Sequence, residues 1–132
     1  MLARFRPSGV LELTALPSID RALWTRWAEE TDVLLVNGHT DAMMIPHLKY
    51  KGRTLCYMAD LLPSVHHVPV AWVMAYDTRP LLTLAEKSDF LGVAADQGIV
   101  LFFEHDAVNQ CATVERTEKG IRVKEVLPLS AL

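Results

Sequence analysis

Three short apolar runs, each followed within a few residues by a histidine or an aspartate, constrain this chain most. They are Val33-Leu34-Leu35-Val36 ahead of His39, Arg53–Met58 ahead of Asp60, and Ile99–Phe103 ahead of His105. Runs of this length read as strands, and the unbroken Val33–Val36 run is of the kind formed when both faces of a sheet are covered. An α/β sheet presents its chemistry at strand ends. An α/β fold carrying these three polar side chains beyond its strands is therefore expected.

The 132 residues suffice for one domain, spanning 1–132, with a modest core. Hydrophobic residues at 51% and charged residues at 22% describe a globular protein. A net charge of -3 gives nucleic acid no general reason to bind, so no nucleic-acid partner is expected. The cluster Lys49, Lys51 and Arg53 surrounds Gly52 and reads as a solvated hairpin turn. Met1–Gly9 has no uninterrupted apolar stretch and is not read as a signal peptide. Val65–Tyr76 is broken by Pro69 and too short to span a bilayer, so no membrane association is expected. Cys56 and Cys111 form no CxxC pair and sit in apolar runs. They read as buried free thiols rather than a disulfide, in a reducing cytoplasm.

Along the chain, Val10–Leu16 reads as a strand, and Ser18 as the cap of a helix through Glu30. Ile19, Leu23 and Trp27 follow at helical spacing, and both Trp24 and Trp27 read as packing residues. Asp32–Asn37 is a strand. Ala42–Tyr50 and Arg53–Met58 form a hairpin turning at Lys51-Gly52, with Pro46 at an edge or irregularity because it has no amide to donate. Leu62–Pro80 reads as a long connection with one short helix around Ala71–Tyr76. Thr83-Leu84-Ala85-Glu86 has capping-box spacing and opens a helix to about Gln97, with Gly98 as its stop. Its packing stripe is Leu84, Lys87/Ser88, Leu91 and Ala94/Ala95, supported by Phe90. Ile99–Phe103 leads to His105, and Ala112–Arg116 and Arg122–Val126 pair through Lys119-Gly120.

Imidazole nitrogen and carboxylate oxygen are ordinary ligands of borderline divalent ions, and a carboxylate can bridge two. His39 and His105 would supply nitrogen and Asp60 would bridge. Separations of 21 and 45 residues make no local ligand motif, and isolated histidines more often serve as core or surface hydrogen-bonding groups. The surrounding phrases say more. Asn37-Gly38-His39-Thr40, Ala59-Asp60-Leu61-Leu62-Pro63-Ser64-Val65-His66-His67, Ala75-Tyr76-Asp77-Thr78-Arg79-Pro80-Leu81-Leu82-Thr83 and Leu101-Phe102-Phe103-Glu104-His105-Asp106 occur in that order. Together they resemble the metallo-β-lactamase fold superfamily, most of all its lactonase-like hydrolase branch. The resemblance runs from about Val33 to Val123 and covers only the carboxy-terminal half of that fold.

The resemblance implies a partial αββα unit, a mixed sheet with flanking helices. It makes His39 the completing ligand of a first metal, Asp60 the bridging and catalytic carboxylate, and His105 the last ligand of a second metal. His67 matches a histidine at the pocket rim. Tyr76, beside Asp77, either holds the proline-rich loop or contacts substrate, and Asp106 supports His105 or caps its loop. The implied cofactor is zinc or another divalent metal, with two ions in a completed site. One departure is large: the family's His-x-His-x-Asp-His loop is absent, and histidines occur only at 39, 47, 66, 67 and 105.

Three readings follow. In the first, the chain is part of a metallo-hydrolase acting on a small molecule, its amino-terminal half missing or supplied by another chain. The resemblance suggests a lactone or another ester, and nothing in the residues selects against β-lactam, thioester or phosphodiester. In the second, a stand-alone fragment buries its open sheet as a homodimer with little catalysis. In the third, a nonenzymatic protein keeps one weakly bound metal.

Overall fold

The computed structural model describes residues 4–5 and 31–132. The strand expected at Val10–Leu16 and the helix at Ser18–Glu30, with Trp24 and Trp27, lie outside them. Seven strands form one sheet in sequence order: β1 (Arg4–Phe5), β2 (Thr31–Val36), β3 (Met43–Tyr50), β4 (Arg53–Tyr57), β5 (Val100–Phe102), β6 (Cys111–Thr117) and β7 (Gly120–Leu127). Every neighbouring pair is antiparallel except β4 and β5, which are parallel and joined across the sheet through helix α1 (Pro80–Gln97). The sheet is thus mixed and the class α/β, as expected, with a single α-helix among the described residues. No described helix is long and apolar enough to cross a membrane.

Turn chemistry sets the hairpins. Lys51 (φ 48°) and Gly52 (φ 78°) both adopt left-handed backbone, the requirement of a two-residue turn that matches strand twist. Pro46 pairs with Val33 of β2, while the ladder to β4 begins only at His47 and Cys56. The proline therefore sits past the paired stretch on that side, where its missing amide breaks no bond.

Side-chain alternation then divides the core. Leu34, Val36, Cys56, Leu101 and Ala112 face one way and pack with Phe90, Leu91 and Ala94 of α1. Leu55, Val100, Cys111 and Leu127 cluster on the opposite face. The two cysteines thus lie on different faces of the sheet, which keeps both as buried free thiols. Burial raises the pKa of each.

Helix α1 departs from expectation at its start. It begins at Pro80, one turn ahead of Thr83, with proline in the first turn where no amide partner is needed. Glu86 does not fold back onto its own helix. Its carboxylate accepts instead from the backbone amides of Asn37 (2.8 Å) and Gly38 (3.0 Å), just past β2. Here strand end and helix touch so closely that a Cβ on Gly38 would lie 2.4–2.5 Å from Thr83 backbone atoms. At the far end Gly98 (φ 64°) closes the helix and donates to Ala94 O.

The buried stripe is Thr83, Lys87, Phe90, Leu91 and Ala94, while Leu84 and Ser88 face outward. Lys87 is buried with its ammonium donating to the carbonyls of Pro69 and Trp72, and burial lowers its pKa to about 8. Those bonds also explain a correction. No helix forms at Ala71–Tyr76; the connection contains short 3-10 turns at Ala59–Leu61 and Val65–His67. Trp72 N–H closes a single turn on Pro69 O, and Lys87 occupies the carbonyls that a continuing helix would need.

Gly38→Ala should lower the unfolding free energy by about 1–3 kcal/mol, the usual scale of overpacking. Urea unfolding of the variant beside wild type measures this, and equal midpoints would refute the contact.

Candidate metal centre

Strand β2 is antiparallel to β3, β3 to β4, and β4 is parallel to β5, so β2, β4 and β5 all run in one direction. Their carboxyl ends reach the same edge of the sheet, where ligands of α/β sheets gather. His39, Asp60 and His105 each lie three residues beyond the last residue of their strands, Val36, Tyr57 and Phe102. The register pairs Tyr57 with Phe102, which brings Asp60 and His105 level. Two backbone bonds hold the arms together: Met58 N–H donates to Phe102 O (2.9 Å), and His105 N–H donates to Pro63 O (3.0 Å). Ala59, with φ of 42° in the sparsely populated left-handed region, turns the chain immediately before Asp60.

Asp60 stands between the histidines. His39 Nε2 is 3.4 Å from its Oδ2, and His105 Nε2 is 3.4 Å from its Oδ1. Behind His39, the buried Asp77 carboxylate lies 2.9 Å from Nδ1. An ionised carboxylate only accepts, so Nδ1 carries the proton and Nε2 presents its lone pair towards Asp60. Two acceptors facing at 3.4 Å call for a positive charge, either a second proton or a cation. The distance also suits a metal. It exceeds ordinary hydrogen-bond length, and a tetrahedral ion with bonds of about 2.0–2.1 Å separates adjacent ligand atoms by roughly 3.4 Å.

The loop bearing His39 is heavily fastened. Thr78 and Arg79 amides donate to the carbonyls of His39 (3.2 Å) and Gly38 (2.8 Å), and Thr78 Oγ1 donates to His39 O (2.8 Å). The Arg79 guanidinium donates to Asn37 O (2.7 Å) and pairs with Asp41 (2.8 Å). Asn37 Oδ1 accepts from Ala42 N–H (2.9 Å). Asp77 therefore does more than hold the proline-rich loop: it orients His39. Its other oxygen is buried without a hydrogen-bond partner, and the nearby Lys87 charge offsets the carboxylate.

His39, Asp60 and His105 line a cleft of about 690 Å³ together with Ser64, His67 and Tyr76. His67 Nδ1 is 2.8 Å from Ser64 Oγ. Burial, then the charges of Lys87 and His66, lower its pKa, which keeps the ring neutral near pH 7. Tyr76 is 83% exposed at the cleft. All five candidate site residues thus gather in one place.

Sequence reasoning passed over Glu104. A carboxylate oxygen of Glu104, one of Asp60 and a nitrogen of His105 all lie within 4.8 Å of one another. Position beside His105 was the available signal; a lone glutamate in a loop carries no ligand spacing of its own, and only the fold sets it near Asp60.

Asp106 has a structural part. Its Oδ2 accepts from Val65 N–H (3.0 Å), and its Oδ1 from the amides of Val108 (3.0 Å) and Asn109 (2.8 Å). Partial burial works to raise its pKa, but these hydrogen bonds prevail and hold it at about 2. The carboxylate ties the loop after β5 to the Val65–His67 turn that carries His67.

No family model and no curated protein matches the sequence. Solved structures do. A probable metal-dependent hydrolase from Staphylococcus aureus matches with 22% identity and a TM-score of 0.64, over 78% of this chain and 36% of that one. AidC, a dizinc quorum-quenching lactonase in complex with a product, N-hexnoyl-L-homoserine, matches with 21% identity and a TM-score of 0.62, over 72% and 33%. The hydrolase AbOPH of the beta lactamase superfamily matches with 17% identity and a TM-score of 0.62, over 72% and 34%. The chain spans about a third of the length of these proteins. The class defined is an α/β unit with part of a metallo-β-lactamase-like fold.

Asp106→Ala should lower stability at pH 7 by about 1–3 kcal/mol through loss of charge-assisted hydrogen bonds. A carboxylate with a depressed folded pKa stabilises fully above its unfolded value, near pH 4, and loses this as pH falls through about 2. Urea melts at pH 7, 4 and 2 should show the wild-type advantage shrinking in that window. A constant difference would contradict the assignment.

Proposed function

We propose that this chain is part of a metal-dependent hydrolase that opens a lactone or another ester, its site completed by donors from another protein segment. The observation that carries this reading is the Asp60 carboxylate with a histidine nitrogen at 3.4 Å on each of its oxygens. That arrangement suits a carboxylate shared between two cations. Zinc fits imidazole and carboxylate donors, and the similar AidC is a dizinc lactonase.

When bound, a pair of divalent ions supplies an activated water and polarises the scissile carbonyl. The chain's own residues provide the setting. Asp77 keeps His39 in one tautomer and one orientation. Asp60 spans the site and His105 holds its other side. Neutral His67 offers a hydrogen-bonding nitrogen within the cleft, and Tyr76 offers an exposed phenol. A cleft of about 690 Å³ suits a small molecule.

On the His39 side the donors among the described residues number two, His39 and Asp60, against the four usual for zinc. Completion would come from an amino-terminal half, preceding this sequence or on another chain, or from a second copy of this one. An isolated monomer should hydrolyse lactones poorly, and a completed assembly should lose at least about a hundredfold in kcat on His105→Ala, the scale of removing a group that acts on developing charge. Native mass spectrometry of protein purified without chelator, paired with a lactone and phosphodiester screen, tests this. Two metals in a dimer or larger assembly, with turnover that His105→Ala abolishes, is the expected result. A species that takes up no metal even with zinc added would sink the proposal in favour of a catalytically inactive fragment.

A further inference from the structure

We infer that Glu104 is a metal donor, so that Asp60, Glu104 and His105 hold one divalent cation within this chain, independently of the His39 side. The inference rests on the metal-dependent reading above and deepens it, giving the two halves of the site unequal affinities and a filling order.

Geometry comes first. One ligand atom from each of Asp60, Glu104 and His105 falls within a 4.8 Å set, close enough for small side-chain rotations to bring all three onto one ion. Glu104 and His105 are exposed, so an ion can reach them from solvent, while Asp60 is half-buried at the centre of the cleft.

Glu104 also has an aromatic neighbour. Tyr57, the last residue of β4, has its hydroxyl on the side of the Glu104 carboxylate. The Tyr57 ring is itself held against Phe102, the last residue of β5, with ring centroids 6.1 Å apart. A tyrosine at the strand end thus stands near the carboxylate that shares the 4.8 Å set with Asp60 and His105. A carboxylate offers lone pairs on both oxygens to a cation.

Charge completes the case. Two carboxylates beside an imidazole concentrate negative charge that a divalent ion relieves. Across Asp60 the balance differs. His39 turns only Nε2 to the site, because Nδ1 is engaged with Asp77, and the identified donors there number two. Three donors against two among the described residues makes the His105 side the first to fill.

The test uses the whole chain, titrated with zinc and with cobalt(II) by calorimetry and native mass spectrometry. Wild type should take up one ion before any second. Glu104→Gln, which keeps the shape and removes the charge, should weaken that ion by at least about a hundredfold, the upper end of what loss of a merely supporting residue costs. Glu104→Ala should do the same, and both variants should keep the wild-type thermal midpoint because the side chain is exposed. His39→Ala should weaken the first ion less than either Glu104 variant does, since His39 meets that site only through the far oxygen of Asp60. First-ion binding unchanged in both Glu104 variants, or weakened equally by His39→Ala, would overturn this inference and leave the proposed function standing. Wild type that binds no ion would overturn both.

Discussion

The contact between Gly38 and the first turns of α1 is the constraint on which the site depends. With no side chain at position 38, the end of β2 comes against the Thr83 backbone, and the Glu86 carboxylate accepts from the amides of both Asn37 and Gly38. This one meeting fixes where the helix lies over the sheet. Because Asp77, Thr78 and Arg79 lead directly into the helix, it also fixes them over the His39 loop. Any larger residue at 38 would push helix and strand apart and disturb every bond between them at once.

Strand direction does the rest. His39, Asp60 and His105, far apart in sequence, meet because β2, β4 and β5 point the same way and each side chain comes three residues past its strand. The parallel pairing of β4 and β5 is the step that requires α1, since parallel neighbours need a crossover. The same helix that permits the pairing carries Lys87, which fastens the connection walling the cleft through Pro69 and Trp72. Topology, clamp and cleft therefore share one element.

Much of this was legible in the sequence, for reasons that differ residue by residue. Strands and hairpins were read from apolar runs and from Lys51-Gly52 and Gly98, positions where local backbone geometry decides the outcome. His39, Asp60 and His105 were found by their place after such runs. Glu86 misled because its capping-box spacing is a local signal, whereas its carboxylate serves amides almost fifty residues away. Lys87 in the packing stripe could be placed, but not its role, since its partners are backbone carbonyls that no sequence pattern marks. Glu104 was overlooked because a lone loop glutamate carries no spacing signal, and only the fold brings it near Asp60.

The two sides of Asp60 differ in kind as well as in donor number. His39 is enclosed, with a side chain 16% exposed and its loop bonded at nearly every polar group, so its geometry is fixed before any ion arrives. His105 is 57% exposed and held chiefly through its backbone bond to Pro63. A preorganised side loses little freedom on binding, and a mobile one must lose more. On the proposed reading, Glu104 compensates by adding charge and a third donor where rigidity is least. The His39 side has rigidity but few donors, so a completing segment contributes most if it enters there. That segment would have to approach along the strand-end edge, past His67 and Tyr76, and would then form the far wall of the cleft that substrate enters.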